Sequence, residues 1–284
     1  METRIQKRYI QEDRIELNQF TWMRWRTGFF LTEKASRYSS KERPINDLFL
    51  ELVDGGPATA CENYDPFSEP ELEIQFSEIK TADDALRFAN RFGMLGLSEE
   101  PWRQAYPDLR NRIDEEISDW LTEARTVERV LNIWSLVQAN DNYGLRKIIR
   151  RKDGQIKAWW EPGGWALIAG PGFNQKWLRS FRTDDFIGPA SLYLATEVNR
   201  HLRKCASVGI GLVGKYRFEP YQTPVNLLSA IWIRVSEVLT GKRKLKLCAI
   251  CNKFLDVTDS RSHKLVHKSC SVRERVRKWR KAHG

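Results

Sequence analysis

The sequence predicts a mainly α chain with a minor β-hairpin element, closed by a small metal-nucleated C-terminal module that ends in a basic helix. Three observations carry this prediction. Apolar residues recur at three-and-four spacing in several windows between residues 81 and 240. A Trp-rich stretch, residues 155–168, is divided by Glu161-Pro162-Gly163-Gly164, which suits a turn between two strands. Near the C-terminus, Cys248 and Cys251 form a C-x2-C pair, and His267 and Cys270 form an H-x2-C pair. A two-residue gap lets both side chains of a pair turn toward one tetrahedral ion, and Cys with His selects Zn²⁺. The module is therefore expected to be a treble-clef or ribbon-like zinc finger. The boundary falls at Gly241, which separates a mostly helical body over residues 1–240 from the finger over residues 241–284.

Composition bounds the partners. The 284 residues, 41% hydrophobic with 11 Trp, supply enough apolar material for a core. The formal charge of +10 is unevenly placed. Residues 241–284 hold 14 Lys and Arg against 3 Asp and Glu, so the rest of the chain is slightly acidic. A surplus confined to one end points to a local polyanion contact rather than a generally adhesive surface. No window approaches eighteen apolar residues, so no membrane span is expected. The N-terminal segment is charged throughout, so no secretory signal is expected either. Reduced Cys clusters fit a cytoplasmic location, where they more often hold metal than form disulfides.

Taken in order, residues 1–80 carry the weakest periodicity and can form a subdomain. Residues 20–31 are aromatic and partly alternating, as in a strand or short buried segment. Residues 44–53 read as a short helix ended by Gly55-Gly56-Pro57, and residues 58–70 as a surface loop. Thr81 is a suitable N-cap, Asp83 and Asp84 suit a first turn, and Gly93 suits a stop. A long helix is predicted over residues 109–139 on the apolar positions Ile113, Ile117, Trp120, Leu121, Ala124, Val127, Val130, Leu131 and Trp134. Residues 143–151 continue it after a break near Asn140. Two further helices, over residues 189–207 and 224–240, each place Pro near the first turn. Gly209 and Gly241 are expected to close them.

The start Cys248-x2-Cys251-x2-Phe254, Asp256 shortly after it, a basic loop, and Cys270-Ser271 entering an Arg-rich helix together resemble the CGNR-type zinc finger. In that family the finger ends bacterial regulators with a helical N-terminal (ABATE) domain. Asp84-Ala-Leu-Arg-Phe-Ala-Asn-Arg-Phe-Gly-Met-Leu-Gly96 is similar to a helix of that domain. The family's last ligand is a Cys within its Cys-Gly-Asn-Arg tetrad, about five residues beyond the Cys-Ser pair. Here Arg275 stands near that place and the tetrad is absent. His267 or His263 then has to supply the fourth ligand. The resemblance implies DNA binding in transcription regulation. Four protein ligands leave no open position, so a structural zinc is expected.

After Cys270 the candidate nucleic-acid contacts are Arg273, Arg275, Arg277, Lys278, Arg280 and Lys281. Val272, Val276 and Trp279 share one stripe that is expected to seat this helix on the finger or body. Glu197 and His201 at i, i+4 are weighed as an acid/base pair and read as a surface pair. Asp184-Asp185 and Glu115-Glu116 are read as carboxylates at helix starts. Trp159, Trp160, Trp165 and Trp177 are weighed as base-stacking residues and read as core. The function expected is a DNA-binding bacterial regulator, with DNA favoured over RNA and a homodimer compatible with the helical body. The alternatives are a nucleic-acid-directed enzyme or toxin-like effector, and a module binding RNA or an acidic protein.

Overall fold

The computed structural model describes residues 22–25, 29–35, 46–52, 61–97, 114–160, 164–173, 175–213, 217–258 and 265–283. His263, the predicted helix start at residues 109–113 and the hairpin turn at Glu161, Pro162 and Gly163 lie outside them.

Near the N-terminus the described residues are strands. β1 (Trp22–Trp25) pairs antiparallel with β4 (Cys61–Tyr64). β2 (Phe29–Ala35) and β3 (Asn46–Leu52) pair in full register from Phe29 opposite Leu52 to Ala35 opposite Asn46. β5 (Asp114–Glu116) adds to the far side of β3. The helix expected over residues 44–53 is therefore a strand. Its run of Leu48, Phe49, Leu50 and Leu52 fits either period, and pairing with a distant segment decides between them. The loop expected over residues 58–70 likewise gives up its middle to β4. The long helix starts later than expected, because Asp114–Glu116 is extended.

The body is mainly helical with small antiparallel sheets. α1 (Leu72–Ser77) and α2 (Ala82–Phe92) precede α3 (Ile117–Gln138), α6 (Ile187–Cys205) and α7 (Leu227–Leu239). α7 packs against α1, α3 and α6. Leu227, Ala230, Ile231, Trp232, Val235 and Val238 of α7 are fully buried, so this helix is apolar nearly all round because it is surrounded. Each such Leu, Ile or Val contributes about 1.5–3 kcal/mol over an exposed one. Phe76, Phe88 and Trp120 meet edge-on or tilted, with centroids 5.4 Å apart for Phe76–Phe88 and 6.0 Å for Phe88–Trp120.

Helix ends follow local chemistry. Thr81 and Asp84 form a capping box: the Thr81 hydroxyl accepts from the Asp84 N–H at 3.2 Å, and the Asp84 carboxylate accepts from the Thr81 N–H at 3.0 Å. Gly93, at φ 89°, ends α2 in backbone that side chains disfavour. Asp185 accepts from the Gly188 N–H at the start of α6, as expected of an opening carboxylate. Pro189 stands in the first turn of the same helix. Pro224 does not do so for α7. It ends β10 (Arg217–Pro224), and Asn226 caps α7 by accepting from the Ser229 N–H at 2.8 Å. β10 pairs along its whole length with β9 (Ala206–Val213), a ladder absent from the sequence reading. Gly209, expected as a helix stop, stands opposite Tyr221 inside that ladder.

Between α3 and α6 lie α4 (Asn142–Ile148), a meander of β6 (Ile149–Lys152), β7 (Gln155–Trp160) and β8 (Gly164–Ala169), and α5 (Gln175–Ser180). The predicted hairpin is β7–β8, with β6 as a third strand. After α7 come the hairpin β11 (Leu245–Leu247) and β12 (Phe254–Asp256), and then α8 (Lys268–His283). Among the described residues no helix is long and apolar enough to cross a membrane.

Candidate metal centre

β11 and β12 are joined by a tight reversal that carries both residues of the first Cys pair. The Cys248 N–H donates to the Lys253 carbonyl at 2.8 Å, and the Asn252 N–H donates to the Cys248 carbonyl at 2.9 Å. Asn252 takes φ 56°, the left-handed conformation that Asn tolerates best after Gly. The Ala249 N–H donates to the Leu265 carbonyl at 3.0 Å and draws the returning chain against the knuckle. His267 immediately precedes α8, and Cys270 lies in its first turn.

These elements bring Cys248, Cys251, His267 and Cys270 together, with all four donor atoms within 4.8 Å of one another. His267 Nδ1 is 3.4 Å from Cys251 Sγ and 4.0 Å from Cys270 Sγ. Ligands of a tetrahedral zinc stand about 3.5–3.8 Å apart, given Zn–S near 2.3 Å and Zn–N near 2.0 Å. The ring's other nitrogen, Nε2, is 2.9 Å from the Phe254 carbonyl. A carbonyl can only accept, so Nε2 carries the proton, and in the neutral ring Nδ1 turns a bare lone pair toward the sulfurs. A hydrogen bond from the far ring nitrogen of this kind fixes the tautomer of a metal-binding His.

The thiols are free, with Cys248 and Cys270 buried. Burial pushes Cys248 up, but N–H groups of Cys251, Ile250 and His267 together with the Cys251 thiol outweigh it and bring the group to about 5. Burial also pushes Cys270 up, and there the Cys251 and Cys248 thiols add to it. Three thiols this close resist ionising together unless a cation shares the site. The donor set therefore fits a metal ion that favours sulfur and imidazole.

Arg243, just before β11, is bound to Asp256 of β12 and approaches buried Glu73 of α1 at 3.4 Å. Glu73 also pairs with buried Arg234 of α7 at 2.6 Å. Lys253 pairs with Glu78 at 2.9 Å. Leu245 and Phe254 join the same apolar cluster as α7. The sequence reading missed this contact between the β11–β12 hairpin and the helices. The available signal was Arg234 itself, the only charged residue among ten in the apolar run 227–236.

On α8, Arg273, Arg275, Arg277, Lys278, Arg280 and Lys281 are all exposed. The helix has one carboxylate, Glu274, which binds Arg277 at 2.8 Å. A shallow groove along it is lined by Arg273, Val276, Arg277, Arg280 and Lys281. The stripe expected to seat the helix does not do so: Val272 and Val276 are each 44% exposed and Trp279 is 64% exposed. Trp279 instead stacks on His283 at 5.2 Å. Contact with the Cys/His cluster comes from the first turn, leaving the rest of the helix exposed.

The other candidates separate. His201 is buried, stacks on Trp232 at 3.8 Å and faces Glu123 at 3.2 Å. The Glu197 carboxylate is held by Arg200 at 2.7 Å, so the two do not act as a pair. Glu115 lies just before α3, whose N-cap residue is Glu116. The buried Glu115 carboxylate accepts from the N–H groups of Leu95, Gly96 and Leu97 and from the Trp120 indole. Comparison of the chain with protein-family models, with curated proteins and with solved structures returns no match, so the centre is read from its own chemistry.

Proposed function

We propose that this chain is a nucleic-acid-binding protein in which Cys248, Cys251, His267 and Cys270 hold a structural Zn²⁺ and α8 meets phosphates. The carrying observation is the set of six exposed cations on a helix whose first turn belongs to the Cys3His cluster. When bound, the ion supplies folding free energy to a hairpin too short to be stable alone. The Phe254 carbonyl orients His267, and the knuckle N–H groups stabilise the Cys248 thiolate. DNA is the favoured ligand, and the resemblance to CGNR-type fingers points the reading toward transcription regulation. A cytoplasmic setting keeps the three thiols reduced. No catalytic role is proposed for Glu197, His201 or Asp184, since their partners hold them apart.

The test is binding of metal-loaded protein to a DNA duplex over about 50 to 200 mM salt. With about five phosphates contacted, log K falls with log salt at a slope near −4 to −5. Arg277→Glu with Arg280→Glu flattens that slope by about two and weakens binding to every sequence alike. A salt-independent affinity rejects the reading. Competition by RNA and by an acidic protein decides whether DNA is the preferred polyanion.

A further inference from the structure

We propose a second nucleic-acid site, on the body rather than the finger: the outer face of the β6–β7–β8 sheet binds single-stranded nucleic acid by stacking bases on Trp159 and Trp165. This reading stands independently of α8. Trp165 is half exposed rather than core as expected and Trp159 is half-buried, while the side chains of Trp160 and Trp177 lie outside those described.

The pairing register defines the face. Arg150 stands opposite Lys157, Lys157 opposite Leu167, and Trp159 opposite Trp165. Directly paired residues share a face, and side chains alternate along a strand. Arg150, Lys152, Lys157, Trp159, Trp165 and Leu167 therefore lie on one side. Ile149, Ile156 and Ala158 point the other way and are buried. On the outer side Trp165 is 50% exposed and Leu167 is 40% exposed. Arg150 and Lys152 are exposed, while Lys157 and Trp159 are half-buried. The Trp159 and Trp165 rings stand 6.1 Å apart. The Arg150 guanidinium sits 5.6 Å from the centre of each.

Charge selects the occupant. The outer face carries Arg150, Lys152 and Lys157, and the three strands contain no carboxylate. A partner protein with an apolar patch has no use for the Arg150 cation held against both rings. A strand of nucleic acid uses both, because each nucleotide has a flat apolar base and an anionic phosphate. Arg150, held against both indoles, is placed to meet the phosphate of a base lying on either ring. A duplex keeps its bases stacked on one another and cannot offer their faces, so the sheet discriminates in favour of unpaired segments. Base stacking on aromatics tolerates any base, so little sequence preference is expected.

The test uses intact, metal-loaded protein and fluorescence anisotropy with end-labelled single strands of about a dozen nucleotides, as DNA and as RNA, beside a duplex of equal length. Trp165→Ala lowers single-strand affinity roughly 5- to 100-fold and leaves duplex affinity unchanged. Trp165→Phe retains most of the affinity, and Arg150→Gln lowers it while flattening the log K–log salt slope by about 0.7. Equal melting temperatures for the variants confirm that the sheet is intact. Arg277→Glu with Arg280→Glu keeps the Trp165 dependence, so failure of the α8 reading and failure of this one are separable. Single-strand affinity that is absent, or equal in Trp165→Ala and wild type, or no better in Trp165→Phe than in Trp165→Ala, overturns the proposal. The tighter of the DNA and RNA arms identifies the sugar.

Discussion

Replacing Arg234 by Met removes one side of a buried charge pair. The Arg234 side chain is 1% exposed and that of Glu73 is 0% exposed, with Nε and Oε2 2.6 Å apart. Arg234 also donates to the carbonyls of Pro66 and Phe67 at 3.1 and 3.2 Å. In Arg234→Met the Glu73 carboxylate keeps only Arg243, which approaches at 3.4 Å without hydrogen-bond geometry. Leaving one member of a buried pair costs about 3–5 kcal/mol, and the two carbonyls lose a donor as well. In a body of this size that lowers Tm by roughly 10 °C. Glu73→Leu with Arg234→Met removes both charges, so the double variant loses less than the two single variants combined. Recovery stays partial because Arg243 then loses Glu73 and keeps Asp256 and the nearby Glu237. The assay is urea unfolding of metal-loaded protein followed by circular dichroism and Trp fluorescence, with coincident transitions required. A cost below about 1 kcal/mol for Arg234→Met refutes the reasoning, as does strict additivity in the double variant.

Two further outcomes follow from the centre and the caps. Native mass spectrometry of protein purified without chelator shows one zinc per chain, and Cys248→Ser with Cys251→Ser loses it; a metal-free wild type would falsify the assignment. Asp84 is held below its ordinary value of 3.8, first by the Thr81 hydroxyl and then by the Lys80 and Thr81 N–H groups, against an upward push from burial. A carboxyl depressed in the folded state adds stability in full above its unfolded value, and this is lost as pH falls through the folded one. Asp84→Asn therefore shallows the acid limb of a stability–pH curve and costs about 0.3–1 kcal/mol at neutral pH. Superimposable acid limbs would count against it.

Local chemistry made the caps and the metal centre legible. Thr81, Gly93 and the two Cys-containing pairs act over a few residues, and the cluster of Cys248, Cys251, His267 and Cys270 is as their spacing predicts. Elements decided by distant partners were less legible. The run of Leu48, Phe49 and Leu50 carries no period that separates helix from strand, and β2 makes it a strand. Gly209 reads locally as a helix stop, but it is the partner of Tyr221 in a ladder. Trp159 and Trp165 announced a hairpin without saying which face meets solvent. That depends on α4 and α6 covering the opposite side. Val272, Val276 and Trp279 form a correct stripe with nothing among the described residues to receive it.

The chain of charges from Arg234 through Glu73 and Arg243 to Asp256 gives the protein a particular kind of reach. A recognition helix on a loose tether can search a volume and accept a target in many poses. Here the hairpin that carries Cys248 and Cys251 is tied through Glu73 to the body's innermost helix, so on the proposed reading the α8 arginines move with the body. If α8 meets nucleic acid as proposed, the target has to approach in one orientation set by the body rather than by slack in a linker.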